Sequence, residues 1–258
     1  MEKSFVDFES AGEIGYVTLN NPEKRNVLSR VTLRQLIERF EKAEADGRIK
    51  CVILRAKGPV FSAGHDLREI IDSSDIERES LFALCTQAMQ TIRGLSLPVI
   101  AEVQGLATAA GCQLAATCDL VVAAEEASFA TPGIKIGLFC STPAVALSRA
   151  VGSKKAMEML LTAQPIGARE AERVGLVNRV VPREQLGEST LELARQIAAA
   201  GAYTLGLGKR AFYEQIELDV PLAYQVTERI MVENAKAPEA IEGMQAFLER
   251  RSVNPAGS

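Results

Sequence analysis

Two stretches of this chain combine very small side chains with an available polar main chain. One is Gly105-Leu106-Ala107-Thr108-Ala109-Ala110-Gly111, which follows an apolar run beginning at Leu97. The other is Ser62-Ala63-Gly64-His65-Asp66. In both, a strand-like run passes through a loop of small residues into a helical pattern. Such a junction leaves main-chain N–H groups unpaired and pointing at whatever lies beside the loop. Small side chains let a ligand come close to that main chain. The chemistry on offer is stabilisation of negative charge; a tight strand-to-helix turn in an α/β core is the competing account.

Few side chains offer acid–base chemistry. His65 is the single histidine and the only group that titrates near neutrality without special tuning. Glu69 and Glu102 are carboxylates close to the two loops, with no direction readable from the sequence. The five cysteines (Cys51, Cys85, Cys112, Cys118 and Cys140) sit mostly in apolar surroundings, with no C-x-x-C spacing. A disulfide framework and a Cys/His metal site are both excluded by that pattern, and reduced, buried thiols are expected.

The elements that must position these loops follow from periodicity. Residues 5–10 and 14–20 read as two strands joined at Ala11-Gly12. The loop Asn20-Asn21-Pro22-Glu23-Lys24-Arg25-Asn26 comes next. Ser29 is then an N-cap for a helix with Leu33, Leu36, Ile37 and Phe40 on one face, ended at Gly47. Residues 50–56 form a short apolar run flanked by charge, as in a central parallel strand. A helix is expected over 76–92, a strand from Leu97, a helix over about 111–117 and a strand over 119–122. Helical patterns dominate after Phe139, at 144–151, 153–162, 168–174 and 184–200, broken by one strand-like piece at 176–182. From about Tyr203 the chain reads as nearly all helix. Alternating strand, loop and helix argues for an α/β fold with mainly parallel strands. A core over residues 1–200 and a helical C-terminal region over 201–258 is the expected organisation.

A net charge of −4 without a basic block offers nothing to nucleic acid. Trp is absent and aromatics make up 5%, which argues weakly against base- or sugar-stacking surfaces. Charged and polar residues interrupt the longest apolar region, so no membrane span is expected. The acidic, strand-like opening carries no leader pattern. A cytoplasmic setting is expected, or a mitochondrial matrix if a presequence has been removed.

Several motifs taken together resemble the enoyl-CoA hydratase/isomerase (crotonase) superfamily. They are NNPEKRNVLS, FSAGHDLREI, the long run from VQGLATAAGCQL to PGIKIGLF, PIGAREAERVGLVNRVVP and EGMQAFLERR, in that order along almost the whole chain. The wording is closest to one subgroup known from animals. The resemblance implies an α/β, crotonase-like spiral of β-β-α units with a helical C-terminal trimerisation region, as a homotrimer or a dimer of trimers. It implies a coenzyme A thioester as substrate, with no cofactor and no metal. The N–H groups of His65 and Ala110 would form the oxyanion hole for a thioester enolate. Ala63, Leu67 and Gly111 would line the substrate. Lys24 and Arg25 would meet the CoA phosphates, with Arg250 and Arg251 as candidates to add charge from a neighbouring subunit, and Asp66 would hold its loop through free main-chain N–H groups. For Lys24, Arg25, Arg250 and Arg251, solvated surface charge remains an alternative, as does a bystander role for the His65 ring, facing solvent or nucleotide.

One departure is informative. Hydratases of the superfamily carry one glutamate after Gly-Cys and a second after Phe-x-x-Pro; here those positions are Gln113 and Gly133. Hydration needs a base for water and an acid for the α-carbon. An amide and a glycine supply neither, so ordinary hydratase activity is expected to be severely reduced. A related isomerase uses a carboxylate a little further on, where this chain has Cys140, Ser141 and Thr142. Ser141 and His65 are the remaining candidates to compensate. Three functions stay open: a thioester enzyme with unorthodox groups or water doing lyase, isomerase or hydrolase chemistry; a non-catalytic acyl-CoA binder or modulator; and a structural partner of an active relative.

Overall fold

Residues 51–54, Cys-Val-Ile-Leu, are buried on both faces, and the sheet is laid out around them. In the computed structural model, which describes residues 4–252, a hairpin comes first: β1 (Val6–Ala11) against β2 (Ile14–Leu19). Helix α1 (Arg30–Ala45) follows, with the Ser29 hydroxyl accepting from Thr32 N–H as the expected N-cap. Next come β3 (Cys51–Ala56), β4 (Val60–Ser62), α2 (Leu67–Asp72) and α3 (Asp75–Gly94). Ser74 and Glu77 close a reciprocal capping box at the start of α3. The unit repeats as β5 (Val99–Val103), β6 (Leu106–Thr108) and α4 (Ala110–Thr117). A third round has β7 (Leu120–Ala124), β8 (Ser128–Ala130), α5 (Ser141–Val151) and α6 (Ser153–Thr162). Then come β9 (Ile166–Gly167), α7 (Ala168–Arg173), β10 (Arg179–Val181) and α8 (Leu186–Ala198). Helices α9 (Ala202–Gln215), α10 (Val220–Ala235) and α11 (Pro238–Glu249) complete the described chain. Residues 1–3 and 253–258, the ends of the expected opening segment and C-terminal region, lie outside it.

Each β-β-α round gives its first strand to one sheet and its second to another. The larger sheet runs β1-β2-β3-β5-β7-β10, parallel except for β1. The smaller runs β4-β6-β8-β9, parallel except for β9. The sequence pattern misses this second sheet, because its strands are only two or three residues long and rich in small side chains. One face of the larger sheet packs on the main core, with Phe40, Phe61, Leu81 and Phe129 fully buried. Ile14, Ile53 and Ile100 face the other way, onto Leu186, Ala194 and Ala198 of α8.

Helix α9 is tied to the core through charge. Lys209 Nζ donates to the carbonyls of Ile92 at 2.8 Å and Leu97 at 2.9 Å, and reaches Asp119 Oδ2 at 2.8 Å. Asp119 also accepts from Val99 N–H and from the Tyr213 hydroxyl, both at 2.7 Å. A buried ammonium is tolerable because every one of its protons has an acceptor.

Candidate functional site

The two sequence-flagged loops lie side by side because they leave adjacent parallel strands. β4 pairs with β6 (Val60 with Leu106, Ser62 with Ala107), and β6 pairs with β8 through Leu106–Ser128, Ala107–Phe129 and Thr108–Ala130. The carboxyl ends of three neighbouring strands therefore present residues 63–66, 109–113 and 131–133 together. Such an edge is where ligands bind in open α/β sheets.

Packing at this edge is close enough to require glycine. Gly64 has φ +82, and a Cβ there would lie 3.0 Å from Ala110 N and 3.0 Å from Thr108 O. A Cβ on Gly111 would sit 2.3 Å from Ser62 O. Ala109, the residue before the helix, holds φ 53 and ψ −121, a conformation L side chains avoid. That strain sets the direction of the first turn of α4. Among the described residues, neither the His65 nor the Ala110 main-chain N–H donates to an acceptor. Ala63 does: its N–H donates to Arg25 O at 3.0 Å.

The His65 ring is not turned to solvent. It is half-buried, with Nδ1 3.3 Å from Leu28 O and the ring edge-on to Phe82 of α3 at 5.4 Å. Its Nε2 is buried without a partner, and burial holds the ring pKa below the usual histidine value. Gln113 is buried on α4 with Oε1 unpaired, and Thr131 is buried with its hydroxyl unpaired. Gly133 is buried in a 3-10 turn over Pro132–Ile136, with Cys140 Sγ 2.8 Å from where its Cβ would be. Ser141 begins α5, exposed, its hydroxyl 3.4 Å from Phe139 O. Burial pushes the Cys112 thiol up to about 12 and raises Cys140, so neither is a thiolate at neutral pH.

Basic charge lies on the rim. Lys24 and Arg25 are exposed on the loop beside residues 63–66, with Lys24 Nζ 3.5 Å from Asp66 Oδ2. Asp66 Oδ1 caps α2 by accepting from Arg68 N–H at 3.0 Å. Leu67, which follows, is exposed. Arg251 is engaged within its own chain by Glu242 and Glu249. The two carboxylates near the motifs point elsewhere. Glu69 Oε2 accepts from Arg30 N–H at the start of α1. Glu102 shares its strand face with Ile100, toward α8, where burial raises its pKa against the lowering effect of Arg55.

The family model described as enoyl-CoA hydratase/isomerase matches residues 9–256. The chain belongs to that family. It is 46% identical over 237 residues to enoyl-CoA hydratase domain-containing protein 3, mitochondrial, of Mus musculus, covering 91% of this chain and 79% of that protein. The human protein of that subgroup has a crystal structure 44% identical in sequence, with a TM-score of 0.94 over 97% of this chain and 100% of that one. An enoyl-CoA hydratase from Mycobacterium smegmatis superposes with a TM-score of 0.95 at 44% identity, over 98% and 99% of the two chains. The expected crotonase-like α/β fold, the helical C-terminal region and the likeness to the animal subgroup all hold.

Within this enoyl-CoA hydratase/isomerase framework, three residues at the edge escaped the sequence pattern. Thr131 stands at the third strand end, after the junctions at Ser62 and Ala109; the repeat of that junction is the signal that would have found it. Ala109 lies in the small-residue loop already singled out, but its backbone conformation has no sequence signal, since it is one expected of glycine. Asn26 is 1% exposed and takes two main-chain carbonyls and one N–H, a role its place in a polar turn conceals.

Proposed function

We propose that this chain binds a coenzyme A thioester with the carbonyl oxygen against the main-chain N–H groups of His65 and Ala110. The observation that carries the reading is the pair of N–H groups without acceptors, on loops brought together by β4 and β6. Donors fixed by the fold stabilise the negative charge of an enolate without reorganising, and each is worth about a hundredfold or more. Ala63, Leu67 and Gly111 line the approach, and Lys24 and Arg25 meet the nucleotide phosphates from the rim. No cofactor is needed for this role.

Hydration is not supported as its main activity. Gln113 cannot cycle a proton, and Gly133 has no side chain where a second carboxylate would be required. The His65 ring, held neutral and packed on Phe82, supplies at most one of the two proton transfers. The chain is an acyl-CoA-processing protein of lyase or isomerase type with weak hydratase turnover. A non-catalytic acyl-CoA binder is the second reading, favoured by the Leu138 carbonyl lying where a side chain at 133 would go. Exposed Phe247, Leu248, Met231 and Tyr224 on α10 and α11 support assembly into a trimer or a dimer of trimers. Five buried free thiols fit a reducing compartment, cytoplasm or mitochondrial matrix.

The test is incubation with a panel of enoyl-CoA and acyl-CoA thioesters, followed by calorimetry and mass spectrometry. Thioester binding with little gain of water on crotonyl-CoA is expected. Rapid hydration would overturn the account of positions 113 and 133, and absence of any thioester binding would overturn the reading itself.

A further inference from the structure

The free N–H of His65 belongs to the peptide that joins it to Gly64. A peptide group is planar and trans, so its C=O and N–H point in opposite directions. Gly64 O accepts from Leu28 N–H at 2.7 Å. The carbonyl end of this peptide is thereby held toward Leu28, and the His65 N–H is turned away from it. Just upstream, Ala63 N–H donates to Arg25 O at 3.0 Å and the Ser62 hydroxyl to Asn26 O at 2.8 Å, on the same segment. Beyond Gly64 that lacing stops. Among the described residues, no main-chain hydrogen bond holds His65.

The imidazole takes over there. Its Nδ1 lies 3.3 Å from Leu28 O, so Leu28 gives its N–H to residue 64 and its carbonyl to the side chain of residue 65. Leu28 is fully buried in the main core. A carbonyl only accepts, so Nδ1 carries the ring proton and Nε2 is bare. Phe82 stands edge-on to the ring at 87° and fixes its plane. Nε2 is buried without a partner among the described residues, which leaves no acceptor for a second proton. One tautomer in one orientation fits the site.

We propose that the His65 imidazole is a positioning residue: its Nδ1–H bond to Leu28 O, together with the Leu28 N–H bond to Gly64 O, holds the Gly64–His65 peptide with its N–H aimed at the thioester oxygen. This rests on the thioester-binding reading above. Glycine is the residue whose main chain turns most freely, so Gly64 cannot fix that peptide from its own side. Donors to developing negative charge are effective when their direction is set before the ligand arrives. The ring acts through its own main chain and exchanges no proton with the ligand.

His65 is the single histidine, so its ring nitrogens give unambiguous NMR resonances. At neutral pH the folded wild type should show the neutral tautomer protonated on Nδ1; the Nε2-protonated tautomer overturns the proposal. The effect on the ligand is read by titration calorimetry with butyryl-CoA and S-butyl-CoA, a thioether without the carbonyl oxygen. The wild type should favour the thioester by about tenfold or more. His65→Phe keeps a ring against Phe82 without a donor and should lose most of that preference. His65→Asn puts an amide N–H where Nδ1 stood and should retain more of it. Circular dichroism checks that each variant is folded, and the tautomer measurement stands without them. A preference that survives in His65→Phe, or that is lost equally in both variants, overturns the positioning role and leaves thioester binding standing. Wild-type protein that binds neither ligand, or both equally, overturns the thioester reading together with it.

Discussion

The carbonyl oxygen of Leu138 lies 2.0 Å from the point where a Cβ on Gly133 would stand. The segment from Ile134 to Phe139 thus closes back over the 133 position: Leu138 N–H donates to Gly133 O at 3.0 Å. The turn is built around glycine, and a side chain there must push main chain aside.

Gly133→Glu is therefore expected to destabilise the protein by about 2 kcal/mol or more, as overpacking does, without conferring hydratase turnover. Gly133→Ala should show most of the same loss. Urea denaturation of both variants, beside a crotonyl-CoA hydration assay, checks it. A stable Gly133→Glu variant would mean that the turn re-forms freely.

Ala109 offers the opposite case. Its φ of 53 with ψ of −121 is a glycine conformation occupied by alanine. Ala109→Gly should relieve strain of about 1–3 kcal/mol and give back less than that in chain entropy, raising Tm by a few degrees. Ala109→Val should lower it sharply, since a β-branched residue tolerates that region worst.

His65 gives a pH signature that no other residue can mimic, being the only histidine. Burial depresses its pKa in the folded chain, whereas the unfolded chain titrates near about 6.5. Below that pH the unfolded state binds a proton the folded state resists, so stability falls as pH drops and is unaffected above it. The slope approaches at most about 1.4 kcal/mol per pH unit. His65→Gln should flatten the stability profile between pH 7 and about 5.5. Thermal melts over that range decide the matter; an unchanged slope in the variant would contradict the buried-neutral account.

Lys209 and Asp119, 2.8 Å apart and with side chains 5% and 16% exposed, carry the largest single-site effect expected. Lys209→Met leaves the Asp119 carboxylate buried beside Tyr213 without its cation, at a cost of about 3–5 kcal/mol. Lys209→Met with Asp119→Asn should lose clearly less than Lys209→Met alone. Denaturant midpoints of the two variants provide the comparison.

The sequence made the larger sheet legible because its strands are long, apolar runs bounded by turns: residues 50–56 were expected and Cys51–Ala56 was found. Helices with a clear face and cap, such as α1 behind Ser29, were equally plain. The smaller sheet was not, since three residues such as Leu106-Ala107-Thr108 have no measurable period and small side chains resemble a loop. Its existence depends on pairing between segments 22 to 46 residues apart, which local pattern cannot carry. The candidate site shared that fate in part. The side-chain-poor loops stood out, whereas the orientation of the His65 ring under α3 and the unpaired Thr131 hydroxyl depend on tertiary packing alone.

Asn26 has one more implication. Its amide donates to Lys57 O and Val60 O while its Oδ1 accepts from Asn21 N–H, and Ser62 donates to Asn26 O. The loop bearing Lys24 and Arg25 is thus riveted to the strand that aims His65, by groups more than thirty residues away. Approach of either cation to an anion is then a matter of side-chain rotamers on a fixed frame. The ordering entropy of that loop is already settled at folding and is not levied again when a ligand arrives.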